Sequence, residues 1–184
     1  MPAPDLIFEH GLDVKKGWFD MASLDYSAKL DPSISFALPR GRVVFVNSTG
    51  FFVPGVHKTN VAIFLLNGST DADVSNPGTT ASGRFMHQAI APTGKLSGLV
   101  ATGGYEIAST EFDSTQTYAP GDLLTATRTA TPAATDGVLT NASVTQYVRP
   151  VVGVVSSGSV RNHNNVLSLS FWTVWLPGAA NWTP

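Results

Sequence analysis

The chain has 184 residues, a formal net charge of −2 and only 13% charged residues, about half the usual share for a soluble domain. It has no cysteine, which excludes disulfide scaffolds, thiolate metal sites and cysteine nucleophiles. It has no block of like charges to attract nucleic acid, and no run of about 18 apolar residues or basic-then-apolar start to imply a membrane step.

Residues 1–33 read as an irregular amino-terminal arm. Leu12, Trp18, Phe19, Met21 and Leu24 follow neither strict alternation nor a 3.6-residue stripe, so an extended arm with a short helical turn is expected. Trp18 and Phe19 on such an arm are candidate partner-binding residues. From Ser33 a strand is expected, because residues 33–38 alternate polar and apolar until Pro39 stops them. Residues 43–46 give a second strand, ending at Asn47-Ser48-Thr49-Gly50. Phe51 and Phe52 follow in a loop, and two adjacent phenylalanines cannot both enter one core, so they too are candidate contact residues. Residues 61–66 form a continuous apolar run typical of a buried strand.

Residues 67–83 are dominated by turn formers and read as a long surface loop, and residues 85–104 carry no clear pattern. Strands resume at 105–108 and 123–128. Residues 129–135 read as a hairpin tip, so 138–140 is expected to pair with 123–128. Residues 144–155 suggest two strands bent at Arg149-Pro150, then a turn at 156–159 and a last strand over 166–176. On that strand Leu167, Leu169, Phe171 and Trp175 share one face. The other face is polar at Ser168 and Ser170 and apolar at Trp172, Val174 and Leu176, which suggests a second layer or a subunit contact. Trp172 and Trp175 complete the candidate partner-binding set.

No repeat of fixed period is visible, which disfavours solenoids and propellers. The expected fold is all-β, an antiparallel β-sandwich or β-barrel with an irregular N-terminal arm and long loops. Its division is an arm at 1–33 and a body at 34–184, with 34–104 and 105–184 as possible sub-lobes.

The search for chemistry yields no catalytic residue, cofactor site or metal site. His10, His57, His87 and His163 are far apart with no metal-ligand spacing. Asp71-Ala72-Asp73 resembles the start of a calcium loop, but Asn76 and Ser82 stand where an EF-hand needs glycine and a bidentate acid, so a solvated loop is the preferred reading. Glu106, Glu111 and Asp113 lie close in sequence, and an acid pair could serve a glycosidase, but clustered acids before a turn are more often just solvated. No Gly-x-Ser-x-Gly elbow or phosphate loop is present. The chain is therefore read as no enzyme. Asn47, Asn67, Asn141 and Asn181 open Asn-x-Ser/Thr triplets, which carry no weight without a secretory signal.

In the carboxy-terminal half, Tyr118-Ala119-Pro120-Gly121-Asp122-Leu123-Leu124, Asp136-Gly137-Val138-Leu139-Thr140, Val151-Val152-Gly153-Val154-Val155 and Val166-Leu167-Ser168-Leu169-Ser170-Phe171-Trp172 resemble the head decoration (cement) and minor capsid structural proteins of tailed bacteriophages. The resemblance covers roughly residues 105–177. It implies a virion protein assembled in the host cytoplasm and seated on the capsid surface. There it would contact the major capsid protein, commonly as a homotrimer, and reinforce the shell. The alternative is a carbohydrate- or receptor-binding module of a phage tail or fibre, with Phe51, Phe52 or Trp182 as a stacking platform.

Overall fold

The computed structural model describes residues 12–16, 25–66, 68, 96–100, 103–142, 148–161, 167–180 and 182. Among them there are strands, turns and bends and no helix, so the all-β antiparallel reading holds. The amino-terminal half supplies β2 (Asp25–Ala28), β3 (Val43–Val46), β4 (Phe52–Pro54), β5 (Ile63–Leu65) and β6 (Leu96–Val100), in the spatial order β2-β6-β5-β3-β4. The carboxy-terminal half supplies β7 (Glu106–Ser109), β8 (Leu123–Ala126), β9 (Leu139–Thr140), β10 (Val151–Arg161) and β11 (Leu167–Leu176), in the order β7-β11-β10-β8-β9. Strand β1 (Leu12–Lys16) adds to the free side of β7.

The two orders are the same. Replacing β2 through β6 by β7 through β11 converts one sheet into the other, and the backbone bonds follow. Each sheet curls because the segment leaving its first strand also pairs with its last. In the first half Phe52 N donates to Lys29 O at 2.8 Å and Asp31 N to Phe52 O at 3.0 Å. In the second, Leu139 N donates to Glu111 O at 3.0 Å and Asp113 N to Leu139 O at 2.8 Å.

The turns that follow are also matched. Asp31 Oδ1 accepts from Ser33 N and Ser33 Oγ at 3.0 and 2.7 Å, and Asp113 Oδ1 accepts from Thr115 N and Thr115 Oγ1 at 3.0 and 2.6 Å. Such Asx turns reverse the chain locally, using a side chain in place of a backbone carbonyl. Gly41 (φ 87°) and Gly121 (φ 95°) then supply left-handed turns. Gly41 N donates to Leu65 O at 2.7 Å and Gly121 N to Val155 O at 2.9 Å, so each delivers its chain to the start of β3 or β8.

Alternation along the strands sorts side chains into two cores. Val44, Phe52, Ile63, Leu65 and Leu96, with Ala28 and Leu38, fill the inside of the first sheet. Leu124, Leu139, Val155, Leu169 and Phe171 line the second, joined by Val43, Phe64 and Leu99 from the outer side of the first. Phe64 and Phe171 meet at 5.4 Å between ring centroids. Burying three such side chains contributes roughly 5 to 9 kcal/mol of transfer free energy, and the two halves meet in this one core. Gly137 (φ 84°) adds a backbone link, accepting from Val43 N at 3.0 Å. A Cβ there would overlap Val43 O.

Several expectations change. Residues 33–38 pass through a turn at Ser33 and a bend at Phe36, with Phe36 and Leu38 packed into the first core, but they belong to no strand. Alternation reported which side is buried, not whether a neighbour pairs. Strands β1 and β2 come from the segment read as an arm, and β6 from the segment read as patternless. The expected turn at 156–159 lies inside β10, which begins after Pro150 and where register shifts between Val155 and Ser157 and between Ser157 and Val160 absorb the small residues as bulges; residues 144–147 of the strand expected before Pro150 lie outside the described residues. Strand pairing joins β8 to β9, as expected from the hairpin signal.

Candidate functional site

The long central strand β11 places its side chains alternately inside and outside the second sheet. Leu169 and Phe171 are fully buried, while Trp172 on the opposite face is 40% exposed; beyond a register shift, Leu176 pairs with Val151 and is 42% exposed. Register extends this outer face sideways, because Trp172 pairs with Glu106 on β7 and with Val154 on β10, and Val154 pairs with Leu123 on β8. The row Glu106–Trp172–Val154–Leu123 thus crosses four strands, about 15 Å at the usual strand spacing. Glu106 is held at its end by Ser156, whose Oγ donates to Oε1 at 2.7 Å. Val148 is a further large apolar residue in the open, at 44%. Trp175 is half-buried against the shared core.

The other expected contact residues are dispersed. Phe52 is fully buried in the first core. Phe51 is half-buried, its backbone N–H bonded to Asn47 Oδ1 at 2.9 Å. Trp182 lies in the shared core with 8% exposure. Two of the three rings of the stacking platform are therefore turned inward. Trp18 and Phe19, and the Asp71–Asp73 loop, lie outside the described residues.

The three neighbouring acids do not converge. Glu106 belongs to the outer row, Asp113 builds the Asx turn, and Glu111 Oε2 accepts from Arg42 Nε at 2.7 Å. Bonds from Thr115 hold the Asp113 carboxyl below its ordinary value. Arg42 also donates to the carbonyls of Ala134 and Asp136 at 2.7 and 2.8 Å, which clamps the 129–137 loop. Among the described residues no group of three or more histidine, cysteine or acidic residues could hold a metal ion. The amides of Asn47 and Asn141 are spent on turns, donating to Asp31 Oδ2 at 2.7 Å and Thr117 O at 2.8 Å.

A cluster that no sequence motif announced surrounds Phe45. Arg128 lies 4.9 Å over its ring, and His57 stacks on it at 5.1 Å. His57 Nδ1 accepts from Asn60 N at 3.2 Å. Burial first, then the charges of Arg128 and Lys58, push the His57 pKa down, and burial lowers that of Arg128. These bonds fasten the 55–60 turn to the second half, where Arg128 Nη1 donates to Pro54 O at 2.8 Å. The cluster is a brace, with His57 Nδ1 and Arg128 Nη1 both bonded to the protein's own backbone. Phe45, His57 and Arg128 are far apart in sequence, so no spacing could have revealed it. Comparisons with protein-family models, with curated proteins and with solved structures give no match.

Proposed function

We propose that this chain is a non-catalytic structural subunit of a tailed-phage virion that binds the outside of the capsid and reinforces it by contacts with the major capsid protein. The observation that carries the reading is the apolar outer face of the second sheet, centred on exposed Trp172 with Val154 and Leu123 beside it in register. Large tryptophan and leucine side chains on a regular sheet face suit a contact with another protein better than contact with water. The sparse charge of the chain supports the same reading, and so does the likeness of its carboxy-terminal half to decoration proteins.

The test is co-sedimentation of the full chain with shells assembled from the major capsid protein of the same phage. Saturable binding, with a higher rupture temperature of the loaded shells, is the expected result. Chain left wholly in the supernatant contradicts the proposal. An arm deletion for such work stops at residue 11, because cutting to 30 removes β1, β2 and the core residue Ala28.

A further inference from the structure

Among the described residues four turns are built on one device, in which a side chain accepts from the residue two places on. Asp31 Oδ1 and Asp113 Oδ1 each accept from the backbone N–H and the hydroxyl of that residue. Asn47 Oδ1 does the same with Thr49, at 3.0 and 2.8 Å, and takes Phe51 N besides. At the 57–60 turn the acceptor is a ring nitrogen. His57 Nδ1 accepts from Thr59 N at 3.4 Å and Asn60 N at 3.2 Å, with Thr59 Oγ1 3.2 Å away. The Asn47 amide does not titrate, and the Asp31 and Asp113 carboxyls titrate below 3.8. Of the four acceptors, only the imidazole is lost to a proton in the mildly acidic range.

The turn that His57 closes also holds down the end of the chain. Lys58 O accepts from Gly178 N at 3.0 Å, and Lys58 Nζ donates to Ala180 O at 3.4 Å. Ala179 N is bonded to Val148 O at 3.1 Å, and Trp182, whose N donates to Ala179 O at 2.9 Å, sits in the shared core. We infer that the 57–60 turn is an acid-sensitive latch: proton uptake at His57 Nδ1 opens it and releases the carboxy-terminal segment, residues 177–180 with Trp182, from the body. A protonated Nδ1 is a donor, so Thr59 N and Asn60 N lose their acceptor. The charges that act on the ring make proton uptake disruptive. Arg128, just after β8, and Lys58, within the turn, are both cations, while Phe45 of β3 and residues 178–180 carry no ionisable group. Asp136 acts on Arg128. Burial and the two cations favour the neutral ring, so the latch is closed above pH 6.5 and opens as pH falls from there through the folded value.

The chain lacks cysteine, so Ala180→Cys puts a single nitroxide on an exposed residue of the held segment. In the full chain the label should be slow at neutral pH and become mobile, reversibly, on acidification, with a midpoint below 6.5. Amide exchange at Asn60 and Gly178, corrected for its intrinsic pH dependence, should quicken about tenfold by about pH 5. His57→Asn supplies a side-chain oxygen that does not titrate, as Asn47 does in its own turn, and should keep both readouts flat. His57→Ala should leave the label mobile at either pH, with circular dichroism confirming the β fold. Should the alanine variant fail to fold, exchange in the unaltered chain and in His57→Asn still decides. A label and amides that ignore pH overturn the inference, as does a response that His57→Asn leaves in place, since another group would then be titrating.

Discussion

In the first half Ile63 leans over Gly98, and a Cβ at Gly98 would overlap Ile63 Cγ2. In the second half the equivalent positions are Gly153 and Phe171, and a Cβ at Gly153 would stand 2.5 Å from Phe171 Cδ2. The same diagonal contact across two strands is kept, with the large and small partners exchanged. What the halves share is backbone: the Asp31 and Asp113 turns, the Gly41 and Gly121 turns and the curl they produce. What they do not share is side-chain identity. Volume is conserved over the pair rather than at either site, as close packing requires.

The largest effects should come from the inward residues of the two last strands. Phe52→Ala and Leu139→Ala, at equivalent bridge positions, should cost about 3–5 and 2–5 kcal/mol respectively in urea denaturation. Because the halves share a core, each should move one common transition, and two separate transitions would break the account of a single folding unit. Next in size, Gly153→Ile and Phe171→Gly should each destabilise by roughly 1–3 kcal/mol or more. The double variant, which copies the arrangement of the first half, should recover part of that, with a coupling of roughly 0.5–3 kcal/mol. Additive losses would mean that the exchange is coincidental.

Removing an Asx turn should cost less. Asp31→Ala and Asp113→Ala should each lower the melting temperature by less than either core truncation, Asp31→Ala somewhat more because Asp31 also accepts from Asn47. Thermal melts check both. The smallest effect is pH-dependent. The folded His57 pKa is lowered from 6.5 by burial and by Arg128 and Lys58, so the unfolded chain binds the proton more readily. The contribution of His57 is fully present above pH 6.5 and is lost as pH falls from there through the folded value. His57→Gln should flatten stability in that window and leave the acid limb, where Asp31 and Asp113 titrate below their ordinary 3.8, unchanged.

Much of the fold was legible. The runs 43–46 and 61–66 became β3 and β5, the tip at 129–135 joined β8 to β9, and β11 ran almost as expected. Strand β6 was hidden because Ser97 and Gly98 interrupt its apolar pattern. Ser97 is nevertheless fully buried, and Gly98 is what lets the strand pass Ile63. The duplication was hidden for a related reason. Leu65 and Val155 are 90 positions apart, while Gly41 and Gly121 are 80, although the bonds that join them are the same. Loops of unequal length destroy any fixed period, and exchanged side chains destroy identity. Of the candidate residues, Trp172 was readable from alternation alone. The burial of Phe52 and Trp182 was not, since neither the Phe51-Phe52 pair nor a lone tryptophan in a loop-like stretch carries a sign of which ring turns inward.

An image of the assembled particle by electron cryo-microscopy, at a resolution that places side chains, tests the central claim most directly. The account predicts that Trp172, Val154 and Leu123 are covered by the capsid shell to which the chain binds. An assembled particle in which Trp172 still faces solvent would contradict it.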